Sequence, residues 1–453
     1  MPRKAKASLP EPLFSEPVFN ENGAPTPDPT TFRTPHDPKV DDALYNQVQN
    51  LLKKDTVSFA TMRGKPGDVF SLQDALGSQG EADVAYIQNT AKQIVFHAIG
   101  DSGATSVGKL SNELHVADHL ANDVHSSPVA DRPAFLYHLG DVVYSFGESK
   151  YYYDQFYEPF RNYAAPIFAI PGNHDSFVIP GTAVADMPLT IFSRNFCATS
   201  PVVTTEAGSL HRTAMTQPGV YFTLDAPFVR IIGLFSNALE DPGVISSQKG
   251  QKTTWPGVPD VQLAYLTAQL QNIKSQNYAG AVIIAVHHPP FGYSPPAGTK
   301  ATGGTHVGNT LMLREIDTIC KTVGVYPHAF LSGHAHNYQR YTRKLTFQGK
   351  NYIVPFVVSG DGGYNVTSLV DSRSKTPPPP PADGANVQYL DVNPVVQATG
   401  LTIAHSDQNN YGYLRITVNS KQLQIEFHPL DKTGAPLALD TVKVDLASHT
   451  IVG

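Results

Sequence analysis

The chain has 453 residues, 41% of them hydrophobic, enough for one large domain with extensions or for two. Lysine and arginine number 33 against 39 aspartates and glutamates, a net charge of −6 with no basic block, so an obligate nucleic-acid partner held by counterion release is not expected. Two cysteines, Cys197 and Cys320, imply no disulfide framework, and no run of ~18 to 20 apolar residues is present to span a membrane.

Residues 1–40 are rich in proline and read as an extended arm. Arg3, Lys4 and Lys6 precede Ser-Leu-Pro-Glu-Pro instead of an apolar stretch, so the hydrophobic region of a secretory signal is missing. The chain as given reads as cytoplasmic; removal of an N-terminal signal would make it periplasmic or secreted. After Asp41 and Asp42, which suit a helix start, Leu44, Val48, Leu51 and Leu52 predict a lead-in helix. With a connecting segment it fills residues 41–92.

From residue 94 a pattern repeats. Apolar runs at 94–99, 134–139, 166–170, 281–286 and 329–331 suit buried strands. Leu110, Leu114, Ala117, Leu120 and Val124 trace one helical face between the first two runs; Leu313, Ile316, Ile319 and Val323 trace another before the last. Strands joined by helices predict an open α/β sheet with a site beyond its carboxyl edge. Tyr151, Tyr152, Tyr153, Phe156, Tyr157 and Phe160 predict a helix packed into the core. Segments 221–224 with 228–234, 345–347 with 352–359, and 413–418 with 423–428 predict hairpins of a second sheet, and the proline run 377–381 predicts a stiff loop.

Each apolar run ends at or near a polar motif. These are Gly100-Asp101-Ser102-Gly103, Gly140-Asp141-Val142-Val143-Tyr144, Gly172-Asn173-His174-Asp175, Val286-His287-His288 and Gly333-His334-Ala335-His336. One Gly-Asp pair alone is a turn, but two such pairs each close a buried strand, and Asn, His and Asp leaving a third together are costly without partners. The donors are too many for one tetrahedral ion and include carboxylates able to bridge, so two metal ions are expected.

Over roughly residues 94–430 the motifs resemble those of the calcineurin-like metallophosphoesterase superfamily and, within it, the purple acid phosphatases. The resemblance to that branch rests on Tyr144, three residues after Asp141, and on Gly333-His334-Ala335-His336-Asn337-Tyr338-Gln339-Arg340. It implies an α/β (α+β) fold, a four-layer α/β/β/α sandwich of two packed mixed sheets flanked by helices. The catalytic domain would fill residues 93–453, with a Pro-rich loop at about 370–400. The resemblance assigns Asp101, Tyr144 and His336 to Fe(III), Asn173, His287 and His334 to a divalent metal (Zn, Fe(II) or Mn), and Asp141 to both. Phenolate and carboxylate suit a hard trivalent ion, and imidazole and amide a borderline divalent one.

The implied function is that of a dinuclear phosphomonoesterase acting on a small-molecule phosphate ester by in-line attack of a metal-bound hydroxide. Asp141 and His174 are the catalytic candidates, His174 contacting phosphate or protonating the leaving alkoxide. His306 and Arg340 are substrate-binding candidates, although Arg340 also reads as an ordinary ion pair. His288 reads as a neighbour behind a ligand, and the His115/His119 pair as the solvated flank of a helix. Alternatives are a phosphodiesterase or nucleotidase on the same scaffold, including the alkaline phosphatase D-like branch, and a non-catalytic metal-binding scaffold.

Overall fold

A computed structural model of the chain describes residues 61–177, 183–208, 210, 212–236, 243–251, 254–293, 306, 308–369, 382–385 and 396–452. The expected proline-rich arm, lead-in helix and 377–381 loop lie outside them. The described chain opens with β1 (Phe70–Ser71), α1 (Leu72–Ala75) and α2 (Gly80–Tyr86). Then come β2 (Gln93–Ile99), α3 (Val107–Ser126), β3 (Pro133–His138), β4 (Ile167–Ala169) and α4 (Pro188–Phe196). The middle holds β5 (Thr223–Ala226), β6 (Val229–Leu234), α5 (Val261–Ser275), β7 (Ala281–Val286), α6 (Thr310–Val323) and β8 (Ala329–Ser332). The chain closes with β9 (Tyr338–Phe347), β10 (Lys350–Ser359), β11 (Gln397–Asp407), β12 (Tyr411–Asn419), β13 (Gln422–Leu430), β14 (Asp440–Asp445) and β15 (Thr450–Ile451).

Two mixed sheets result, an eight-stranded one ordered β1-β5-β6-β7-β8-β10-β9-β11 and a seven-stranded one ordered β15-β14-β13-β12-β2-β3-β4. The sequence pattern placed the parallel strands together and the hairpins apart, and here the structure differs. Strands β2, β3 and β4 run parallel in one sheet, and β6, β7 and β8 in the other. The chain leaves the seven-stranded sheet at its edge strand β4, and the antiparallel pair β5–β6 starts a new sheet to which the later βα units add. Hairpins then complete both sheets. Residues 61–92 join the same fold, since β1 pairs with β5 and Met62 and Leu72 are buried in the common core.

The sheets face one another through aromatic side chains. Tyr137 of β3 stacks on Phe222 at 6.1 Å, and Tyr338 of β9 lies parallel to Phe427 of β13 at 3.9 Å. Gly233 in β6 leaves room for the facing layer, because a Cβ there would stand 2.4 Å from the Tyr137 hydroxyl. Helix α3 lies against β3 and β12, while α5 and α6 pack together with α5 on β6. No described helix is long and apolar enough to cross a membrane.

Two local expectations shift. In α3 the buried stripe is Glu113, Val116, Ala117, Leu120, Ala121 and Val124, with Leu110 and Leu114 only half-buried. Glu113 is drawn inward because its carboxylate accepts the N–H of Ala104, in the loop after β2, at 3.1 Å. The aromatic segment is buried as expected, but as a 3-10 turn (Ser149–Tyr151) and a π turn (Tyr153–Tyr157) instead of a regular helix. Three consecutive tyrosines must all face inward, which one face of an α-helix cannot provide.

Helix α6 is tied to β9 by charge. Asp317 and Arg343 meet at 2.8 Å, both almost wholly buried, and Tyr326 bridges them, donating to Asp317 at 2.9 Å and accepting from Arg343 at 2.8 Å. Asp317→Ala would leave a buried guanidinium unpaired. The expected loss is about 3–5 kcal/mol in chemical denaturation, against less than about 0.5 kcal/mol for Thr318→Ala on the exposed side of the same helix.

Candidate metal centre

Asp101, Asp141 and Asn173 follow the carboxyl ends of β2, β3 and β4, and His287, His334 and His336 follow β7 and β8. One trio comes from each sheet. Together with Tyr144 these residues are buried, none more than 9% exposed. Asp101, Asp141 and His334 take φ values of 58°, 54° and 66°, which residues other than glycine rarely hold. The sharp bend turns each side chain inward as its strand ends. At Gly172 the approach is closer still: a Cβ would fall 2.0 Å from Asp141 Oδ1.

Two groups of donor atoms meet at Asp141. In the first, Asn173 Oδ1 lies 3.1 Å from both His287 Nε2 and His334 Nδ1, and His287 Nε2 lies 3.4 Å from Asp141 Oδ2. Donor atoms of Asp141, His287 and His334 all fall within 4.8 Å of one another. In the second, the Tyr144 hydroxyl lies 3.1 Å from Asp101 Oδ1, 3.0 Å from Asp141 Oδ2 and 3.3 Å from His336 Nε2. His336 Nε2 in turn is 3.4 Å from Asp101 Oδ1.

The electrostatics are those of a site made for positive charge. Burial, with Asp141 beside it, pushes the Asp101 carboxyl up to about 8. Burial opposes ionisation of Asp141 as well, but His287 and His174 outweigh it and hold that carboxyl below the usual range. His287 shows the converse: burial disfavours its cation, yet Asp141 and Asp101 push it up to about 9. Burial holds His336 down at about 4, and burial with four neighbouring imidazoles holds His334 far below the ordinary value. The Tyr144 phenol is raised well above its usual range by burial and by the two carboxylates. Three imidazoles, an amide oxygen, two carboxyl groups and a phenol therefore converge in a buried space, a donor set that fits a pair of metal ions once Asp101 and His287 give up their protons.

The sequence profile of the calcineurin-like phosphoesterases matches residues 94–338, from β2 to the start of β9. The chain belongs to that family. As a calcineurin-like phosphoesterase it is a metal-dependent hydrolase of phosphate esters. It matches no curated protein. Among solved structures it is similar to PhoD, with 13% identity over 80% of this chain and 72% of that one and a TM-score of 0.48. It is also similar to GAP50, the anchor in the inner membrane complex of Plasmodium, with 10% identity over 77% and 88% of the two chains and a TM-score of 0.45. A third is a 5'-nucleotidase precursor from Thermus thermophilus, with 12% identity over 77% and 54% and a TM-score of 0.31. The family assignment rests on the profile match alone.

Around the donors of this phosphoesterase stands a layer of groups that fix them. His287 Nδ1 donates to the Leu139 carbonyl at 2.9 Å, which turns Nε2 toward Asp141 and Asn173. Asp175 accepts the N–H groups of Gly172 at 2.9 Å and of Val142 and Val143 at 3.0 Å, pinning the turn after β4 to the turn after β3. His138 accepts from Gly140 N–H at 3.2 Å and donates to Ser102 Oγ at 2.9 Å, linking the first two motifs. Sequence reasoning missed His138 and Ser102 as supports; the available signal was a histidine inside an otherwise apolar strand.

The remaining histidines sort by position. His174 has its N–H on Asp141 Oδ1 at 2.9 Å, its Nδ1 on the Ser145 carbonyl, and its ring 4.3 Å from Tyr144. His306 reaches the cluster, its ring 4.4 Å from His334 and 5.4 Å from His336. His288 lies behind the donors, bonded to Ser236 Oγ at 2.7 Å with its ring 4.1 Å from His334. His119 bonds the Gly434 carbonyl at 2.8 Å on the half-buried flank of α3. Arg340, the other substrate candidate, is placed instead in a two-pronged ion pair with Asp440 at 2.6 and 2.7 Å.

Asp175→Asn removes two of the carboxylate's lone pairs and sets an NH2 group against backbone N–H donors. The variant is expected to fold but to bind metal about 10- to 100-fold more weakly, measured by titrating metal into the stripped protein. Lowering the pH should weaken uptake further in both proteins, since protons held by Asp101 up to about 8 and by His287 up to about 9 must leave before a cation enters.

Proposed function

We propose that this phosphoesterase is a phosphomonoesterase of the purple acid phosphatase type, with a dinuclear centre of Fe(III) and a divalent metal (Zn, Fe(II) or Mn). The observation that carries this reading is the Tyr144 hydroxyl, within 3.3 Å of Asp101, Asp141 and His336 at once. In this reading Asp101, Tyr144 and His336 hold the ferric ion, Asn173, His287 and His334 hold the divalent ion, and Asp141 serves both. A phenol so reluctant to ionise becomes a ligand beside a strongly charged cation, and phenolate with carboxylate favours the trivalent one. When bound, the two ions offset the charge of the phosphate oxygens and lower the pKa of a water that serves as nucleophile.

The protein's own side chains then orient and protonate. The His174 N–H fixes Asp141, and the bond from Nδ1 to Ser145 leaves Nε2 for the substrate. Burial lowers the proton affinity of His174 below that of an ordinary imidazole. Its acid form is therefore present only at low pH and is lost as pH rises, which suits protonation of a leaving alkoxide in acid. In the same reading His306, whose ring lies 4.4 Å from His334 and 5.4 Å from His336, contacts the ester, and Arg340, paired with Asp440, is left out of this role.

Iron-loaded protein should show a visible charge-transfer band that Tyr144→Phe abolishes, and should cleave phosphate monoesters faster than diesters. A band that survives Tyr144→Phe would count against the ferric assignment, and faster diester cleavage would favour the phosphodiesterase alternative. His174→Ala should keep both metals yet lose roughly 10²- to 10⁴-fold in turnover of alkyl phosphates, with a smaller loss for activated aryl phosphates; equal losses would remove the acid role.

A further inference from the structure

Tyr144 is held by its ring as well as by its hydroxyl. Tyr364 lies parallel to it, centroids 3.8 Å apart and planes within 6°, and the Lys109 ammonium sits 4.0 Å over the Tyr364 centroid. Tyr364 also meets His336 edge-on at 4.9 Å. Neither Lys109 nor Tyr364 belongs to the five motifs. The backbone secures the arrangement: Tyr364 N–H donates to the Asp101 carbonyl at 3.0 Å, Gly362 N–H to the Gly100 carbonyl at 3.0 Å, and Thr367 N–H to the His336 carbonyl at 2.7 Å. The loop after β10 is thus laced onto two of the donor-bearing turns. Lys109 stands in the first turn of α3, where its N–H is taken by Ser106 Oγ.

Two aromatic rings so close and so nearly face to face oppose their electron-rich faces, an arrangement such pairs ordinarily avoid. A cation on the outer face of Tyr364 draws its π electrons away from Tyr144 and makes the stack favourable. The geometry points to Lys109 and Tyr364 as positioning residues for Tyr144. Tyr364 fixes the plane in which the phenol oxygen faces Asp101, Asp141 and His336. The Lys109 charge lowers the energy of the π electrons that Tyr144 offers to a cation. This inference rests on the reading of Tyr144 as a ligand to iron.

The test uses full-length protein reconstituted with iron and follows the visible band and the rate at which a chelator removes metal. Tyr364→Phe and Lys109→Arg, which keep ring and charge, should match the wild type. Lys109→Met should move the band to longer wavelength. Tyr364→Leu should weaken the band and release metal about 10-fold faster. An unchanged band and release rate in both Lys109→Met and Tyr364→Leu would overturn the inference. A wild-type protein without a band would instead defeat the ferric reading; metal release then decides alone, faster loss from Tyr364→Leu than from Tyr364→Phe supporting the positioning role and equal loss overturning it. Should Tyr364→Leu fail to fold, Lys109→Met on the half-buried surface of α3 still decides through its band and its release rate.

Discussion

Asp101 and Asp141 are sealed from solvent on either side of a single phenolic hydroxyl, and the rest of the architecture serves to keep them there. Two carboxylates this close repel and lose their hydration, so the pair is tolerable only if other groups answer the charge. The chain supplies backbone N–H groups, His334 to Asp101 and His174 to Asp141. It also supplies turns bent into left-handed conformations that aim the carboxylates inward. Of the surrounding groups only His287 answers with a charge of its own, while burial keeps His334 and His336 neutral and the phenol protonated. The arrangement stores its imbalance at the place where a metal would relieve it.

Much of this was legible in the sequence, for a physical reason. A strand buried on both faces must be apolar throughout, so the donor motifs stand out sharply where residues 94–99, 134–139 and 281–286 end. The motifs were found that way, the family resemblance singled out Asp101, Asp141, Asn173, His287, His334 and His336 within them, and the structure brings these side chains together. The assignment of strands to sheets was not legible, since periodicity reports burial but not partners: β4 and β7 read alike although they lie in different sheets. The face of α3 was misjudged at Glu113, whose inward turn depends on a backbone N–H nine residues away. Tyr364 escaped notice because stacking on Tyr144 is a long-range contact with no local signature. Arg340 was ambiguous for the same reason, its partner Asp440 lying one hundred residues downstream.

The supports around the donors explain why whole motifs, and not single residues, mark the site. Asp175 has no place among the donors, yet it joins the third motif to the second; His138 and Ser102 join the second to the first. Each turn is held by its neighbour. A change in one of these outer groups would therefore be felt at donors that it never touches.

The division of donors between the two sheets has a consequence for how the molecule comes together. Each of the two donor groups draws atoms from both layers, so neither is complete until the layers have docked. Any ion that enters acts as a rivet across the seam, and its binding energy is added to the cohesion of the sandwich. Hairpins far from that seam can vary in length without touching the chemistry, whereas a small sliding of one layer over the other would dismantle it.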